Sequence, residues 1–267
     1  MMSDTKPVVL AVEDGVATVT LNRPERLNAM TAELLHLATS TFETVAADPT
    51  IRVLVLTGAG RAFCAGGDLS QGAGGAVTAG VGPESRAKLL RQFMETSKLL
   101  HEMPAVTIAA VNGACAGAGL SWACACDLRY ASARAKFNVA FLNAGLSGDF
   151  GGTWTLPRII GQGRAREKYL VSQPFDAAEA ERIGLVSGVF EPERLLPEVT
   201  AVARRIAVSA PLAVSRIKQN LADSATVDFG RALDLEAQRH TECVESEDGR
   251  EAARAFIEKR APRFVGR

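Results

Sequence analysis

The chain reads as an α/β protein with parallel-sheet character, and three observations predict this. Two apolar runs, IRVLVLT at 51–57 and AVTIAAV at 105–111, have the length and β-branched content of buried strands. Each ends in a glycine-rich turn leading toward helix-forming sequence, the repeated order of parallel-sheet proteins. Ahead of them, residues 8–13 and 16–21 alternate around Glu13-Asp14-Gly15, and Asp-Gly between apolar runs predicts a hairpin.

In chain order, Thr31 caps a predicted helix over 32–47. Leu34, Leu35, Ala38, Phe42 and Val45 share one face of it, and Pro49 lies beyond its end. Strand 51–57 runs into GAGRAFCAGGDL at 58–69. The glycine-rich segment 71–82 has almost no large apolar residue and reads as a mobile lid or a plain loop. A helix at about 83–101 precedes strand 105–111, which breaks at Asn112-Gly113 before a small-residue helix over 117–126. Helices follow at 151–161, 163–172 and 176–183, then a short strand at 185–190 and helices from about 191 to 260. Pro211 suits the first turn of one of these. There is no linker composition.

Composition excludes several classes. Lysine plus arginine equals aspartate plus glutamate at 30 each, so no basic field invites nucleic acid or an anionic membrane. MMSDTKPVVL lacks the charged-then-apolar form of a secretory signal. The apolar stretch 105–126 is mostly Ala and Gly and is interrupted by Asn112-Gly113, so no membrane span is expected. Cys64, Cys115, Cys124, Cys126 and Cys243 are odd in number and follow no framework spacing. They read as reduced thiols of a cytoplasmic protein. Cys124-x-Cys126 lacks the partners that would complete a metal site, so no metal is expected.

The two strand-end loops carry the chemistry. A helix beginning around Gly117, Ala118 and Gly119 leaves unpaired N–H groups, which suit an oxygen with negative charge. The turn around Ala65, Gly66 and Gly67 offers further amides. Two such loops could clamp one carbonyl oxygen as an oxyanion hole.

RAFCAGGDL at 61–69, AAVNGACAGAGLSWACACDLRYAS at 109–132, LNRPERLNAM at 21–30 and EDGREAARAFIEKRAPRFVGR at 247–267 together resemble the crotonase (enoyl-CoA hydratase/isomerase) superfamily. The resemblance spans nearly the whole chain. It implies a crotonase-like spiral of ββα turns over residues 1–199 and a helical oligomerisation region over 200–267, in a homotrimer or dimer of trimers. It implies an acyl-CoA substrate with no separate cofactor, coenzyme A being part of the thioester. By residue matching, the oxyanion donors are the amides of Ala65 and Ala118, and Gly67 and Gly117 belong to the substrate- and CoA-binding set. Arg26 matches the CoA channel, with Arg23 nearby. Ala62, Ala65, Asp68 and Leu69 match the segment bordering the adenine. Phe256 and Lys259 match residues that reach a neighbouring subunit's CoA.

The chain departs from the standard hydratases of that family, which use two glutamates. Ser121 stands at the first position and Phe141 at the second, and neither can act as a carboxylate base. Asp149, in GLSGDFGGTW, matches a functional aspartate of some isomerases in the family. Flanked by Phe150 and Trp154, it is expected to be desolvated, with a raised pKa suited to shuttling a proton. It also reads as an N-cap for the helix that follows. The chemistry expected is double-bond isomerisation of an enoyl-CoA. An atypical hydratase, with water held by Ser121 or Asn143, and a non-catalytic acyl-CoA-binding protein are the alternatives. Trp122, Phe141, Phe150 and Trp154 read either as pocket wall or as core.

Overall fold

The computed structural model describes residues 6–71 and 82–267, so most of the glycine-rich segment 71–82 lies outside the described residues. The chain opens on β1 (Val8–Glu13) and β2 (Val16–Leu21), an antiparallel pair whose register sets Glu13 against Val16. Asp14 and Gly15 turn the hairpin at φ 49° and 75°, the left-handed pair that a two-residue turn of this kind requires. The chain then enters α1 (Ala32–Ala47), where Thr31 Oγ1 accepts the Leu34 N–H at 3.2 Å and the expected apolar face is buried.

From there the ββα order repeats. β3 (Val53–Gly58) and β4 (Ala62–Cys64) precede α2 (Pro83–Phe93) and α3 (Glu95–Glu102). β5 (Val106–Val111) and β6 (Ala114–Ala116) precede α4 (Ala118–Ala125). β7 (Leu128–Ser132) and β8 (Lys136–Asn138) precede α5 (Gly152–Ile160) and α6 (Gln162–Val171). The helix expected over 83–101 is therefore two helices, parted at Met94. The first strand of each turn joins a six-stranded sheet of order β1-β2-β3-β5-β7-β10, where β10 is Val189–Phe190. The second strands form a smaller sheet, β4-β6-β8, closed by β9 (Phe175–Asp176). Beyond the first hairpin the large sheet is parallel throughout. Nearly every residue of β3 and β5 is buried, as central parallel strands demand. This is the ββα spiral that the resemblance implied.

The topology places the ends of β3–β4 and β5–β6 side by side. α4 follows directly and is buried along its whole length, which explains its alanine and glycine content. A Cβ at Gly119 would sit 2.3 Å from the Cys64 carbonyl oxygen, so only glycine lets α4 lie against the end of β4. Trp122, the largest fully buried side chain, donates its Nε1 proton to Thr96 Oγ1 at 3.0 Å and thereby ties α4 to α3.

After α7 (Ala177–Arg182) and α8 (Pro192–Ala207) come α9 (Pro211–Asp223), α10 (Phe229–Glu245) and α11 (Glu247–Glu258). The chain divides into two compact units, Met1–Ala203 and Arg204–Arg267. In the second, Arg239 on α10 bonds Asn220 and Asp223 on α9. Yet α9 and α10 bury none of their residues. No described helix is long and apolar enough to cross a membrane.

Candidate active site

The first loop is held by the turn that precedes α1. Asn28 is fully buried at φ 56°. Its side chain accepts the Arg23 N–H at 2.8 Å and donates to the carbonyls of Ala59 at 3.0 Å and Ala62 at 2.8 Å. Beside it the backbones of 27–30 and 65–68 pair. Ala65 N–H donates to Leu27 O at 3.0 Å, Met30 N–H to Gly66 O at 2.8 Å and Asp68 N–H to Met30 O at 2.9 Å. The Ala65 amide, expected as an oxyanion donor, is therefore engaged inside the protein. Parallel pairing alternates the direction of successive backbone groups, so Gly67, the bridge partner of Met30, directs its N–H to the other side. Gly67 is exposed, and among the described residues its amide has no acceptor.

The second donor comes from a helix start. Gly117 adopts φ 52° and ψ −125°, a conformation essentially closed to residues with a side chain, and its N–H donates to Asn138 O at 3.0 Å. Ala118 opens α4, so its N–H has no partner within the helix, and none is found among the described residues. The two loops touch: a Cβ at Gly66 would lie 3.5 Å from Ala118 N. Gly67 and Ala118 thus each bring an amide without an acceptor among the described residues to these adjoining loops.

Asp149 occupies a strained loop. Gly148, Phe150 and Gly151 have φ of 118°, 48° and 79°, and a positive φ at a phenylalanine marks a backbone held by its surroundings. The N-cap of α5 is Gly151, with no side-chain cap, so Asp149 is not the helix cap that the sequence also allowed. Its Oδ1 is buried with no hydrogen-bond partner among the described residues. Burial pushes the Asp149 pKa up to about 6. The same carboxylate adds to the upward shift of Cys64, raised to about 12 chiefly by burial, and of Tyr169, also raised chiefly by burial.

Ser121 Oγ donates to the Asp149 carbonyl at 3.1 Å and also approaches Gly117 O at 3.4 Å, tying α4 to the Asp149 loop. Asn143 Nδ2 donates to Ser172 O at 3.3 Å. Both groups proposed to hold water thus have backbone partners. Phe141, at the second glutamate position, is buried and runs parallel to Tyr169, with ring centroids 6.3 Å apart and planes within 3°. Tyr169 borders the same small void as Gly117, Ser121 and Phe141, one too tight for a water molecule. It lies in the polar helix QGRAREKYLV, and no motif marked it in the sequence.

Other expected residues separate into two groups. Arg26 and Leu69 are exposed, and the Arg26 guanidinium makes no ion pair among the described residues. Phe256 is 86% exposed and Lys259, at the end of α11, is exposed too. Ala62, by contrast, is 1% exposed in β4, and its carbonyl accepts from Asn28 and Asn112. The Asp68 carboxylate accepts the Ser70 N–H and pairs with Arg23 at 3.4 Å, contacts that hold its pKa below the usual value and brace the loop. Trp154 is not a core residue. It is 44% exposed, with Arg158 lying 3.7 Å over its ring and His101 against its edge. Phe150 packs edge-on against Trp122 in the core.

The buried thiols of Cys64, Cys115 and Cys124 are chemically quiet. Burial raises Cys124 to about 11 and Cys115 well above its ordinary value, so neither carries appreciable thiolate at neutral pH.

A family model described as enoyl-CoA hydratase/isomerase matches residues 11–267. The chain is 38% identical over 256 residues to the 1,2-epoxyphenylacetyl-CoA isomerase of Escherichia coli K12, covering 96% of this chain and 97% of that protein. It is 34% identical to the crotonyl-CoA hydratase of Syntrophomonas wolfei, covering 97% and 98%. Among solved structures, the enoyl-CoA hydratase from Bacillus anthracis superposes with a TM-score of 0.91 at 30% identity, covering 98% of this chain and 100% of that one. The ββα spiral, the paired loops and this full-length match carry one conclusion: the chain belongs to the enoyl-CoA hydratase/isomerase family of the crotonase superfamily.

Proposed function

We propose that the protein isomerises the double bond of an enoyl-CoA thioester with Asp149 as its single acid/base. The Asp149 carboxylate takes a proton from Cα of a 3-enoyl thioester. The electron pair moves onto the carbonyl oxygen, and the resulting dienolate is held by the Gly67 and Ala118 amides. The same carboxyl then returns the proton at Cγ, giving the 2-enoyl isomer, and each step reverses. Two fixed N–H donors suit this intermediate, since removing one such donor costs about 2.7–4 kcal/mol of barrier in comparable sites. No cofactor beyond the thioester is needed.

The observation that carries this reading is the Asp149 carboxyl, desolvated, with an oxygen lacking any partner among the described residues and a pKa raised to about 6. A group near neutrality can both take and return a proton. Ser121 and Phe141 at the glutamate positions argue against two-carboxylate hydration, and the similarity to an isomerase supports the choice. Arg26 and Leu69 are the residues free to meet coenzyme A. The Arg204–Arg267 unit supplies the oligomer contacts of a homotrimer or dimer of trimers, for Ile217, Leu221, Phe229 and Phe256 are exposed in the single chain.

A chromatographic product assay tests the chemistry, offering 2-enoyl-CoA and 3-enoyl-CoA to the wild type and to Asp149→Asn. The wild type is expected to interconvert the two, and the variant to lose about 10³-fold or more in rate while binding acyl-CoA within a few-fold. A 3-hydroxyacyl-CoA product, or full activity in the variant, would contradict it.

A further inference from the structure

We infer that Ser121 is a positioning residue whose hydroxyl fixes Asp149 relative to the Ala118 amide. This rests on the acid/base reading of Asp149 above and adds what holds that carboxyl in place. Gly148, Phe150 and Gly151 all have positive φ, so the loop bearing Asp149 is not in a conformation its own backbone favours. Its surroundings must hold it. Phe150 contributes by packing edge-on against Trp122 of α4. Among the described residues, one hydrogen bond joins residues 148–151 to an element other than α5. Ser121 Oγ makes it, donating to the Asp149 carbonyl at 3.1 Å. The same carbonyl accepts the Gly152 N–H at 3.2 Å, at the start of α5. The Asp149 backbone is thus gripped from α4 on one side and from α5 on the other.

Ser121 lies one turn along α4 from Ala118. Its N–H donates to Gly117 O at 3.0 Å, and its hydroxyl approaches the same oxygen at 3.4 Å. Gly117 C=O and Ala118 N–H belong to one planar peptide group, so holding the oxygen sets the direction of the amide. One side chain therefore contacts both the peptide that supplies the donor and the residue that supplies the carboxyl. The hydroxyl is also closed off from other work. A Cβ at Gly152 would fall 2.5 Å from both Ser121 Oγ and Tyr169 Oη, and the void beside them is too tight for water. A hydroxyl enclosed in this way tethers; it does not deliver water.

Steady-state kinetics of Ser121→Ala and Ser121→Cys on 3-enoyl-CoA, measured beside the wild type and Asp149→Asn, test this. Ser121→Ala is expected to lower kcat about ten- to a hundredfold with KM within about threefold, the scale of a misplacement of about 1 Å. Ser121→Cys fills nearly the same space with a weaker donor, and its kcat should fall between the two. The acid limb of kcat/KM should move to lower pH in Ser121→Ala, as the loosened loop admits water to the carboxyl. Cys64 and Tyr169, the titratable groups in electrostatic reach of Asp149, have raised pKa values and stay neutral across that range. Unchanged kcat and an unmoved acid limb in Ser121→Ala overturn the positioning role, as does a rise in KM alone. If Ser121→Ala does not fold, Ser121→Cys decides: a lower kcat at constant KM supports the role, and wild-type kcat overturns it. An active Asp149→Asn, or a wild type without turnover, would instead sink the acid/base reading itself.

Discussion

The two strand-end loops look alike in sequence but present their amides by different physics. At 112–119 a helix start leaves Ala118 N–H unpaired, so the donor follows from helix geometry alone. At 58–69 no helix begins at the donor. Pairing with residues 27–30 engages Ala65 and Asp68 and leaves Gly67 facing outward, so the donor there is chosen by a neighbouring segment. Both loops are tightly built, Gly58, Gly60 and Gly66 being as constrained as Gly117 and Gly119, but the surroundings of the donors differ. Gly119 and Gly117 are bound by a contact and by a backbone angle, whereas a Cβ at Gly67 would meet nothing within 4 Å.

That contrast can be broken by substitution. The largest effect is expected at Gly119→Ala, which drives a methyl into the backbone of Cys64 and should cost about 3 kcal/mol or more, read as a large fall in thermal midpoint. Next comes Asp149→Asn, which should stabilise the protein even as it stops turnover. The Asp149 pKa is about 6 in the folded chain against an ordinary aspartate value of 3.8, so the ionised form is disfavoured by folding. The penalty is absent below about pH 4, grows as pH rises, and is complete above about pH 6. The variant should therefore gain up to about 3 kcal/mol near pH 8 and lose that advantage in acid. Wild-type kcat/KM should fall as pH drops through about 6, since the base must be ionised. The smallest effects compare the loops directly. Gly117→Ala should cost about 1–3 kcal/mol for its backbone angle, and Gly67→Ala should stay within about 0.5 kcal/mol in denaturant titrations. Equal costs at 117 and 67 would show that the two donor positions do not differ as described.

What the sequence disclosed follows the same division between local and non-local causes. The Asp14-Gly15 turn, the Thr31 cap, the buried strands and the helix start at Ala118 are local, and each was legible. The identity of the first donor was not, because the engagement of Ala65 depends on register with Leu27, nearly forty residues before it. The surroundings of Trp154 were equally illegible: Arg158, one turn on, covers its ring and His101 meets its edge, leaving it partly exposed. Tyr169 carries no motif, and only the fold brings its ring beside Phe141. The short second sheet was equally hidden, since strands of two or three residues leave almost no periodic signal.

The central claim is that Asp149 makes and quenches an enolate held by two amides. It is tested most directly by incubating 3-enoyl-CoA with the protein in D2O and following deuterium entry at Cα and Cγ by mass spectrometry. The expected result is incorporation with the wild type that falls to background with Asp149→Asn. Undiminished incorporation in that variant would contradict the claim, because another group would then be moving the proton.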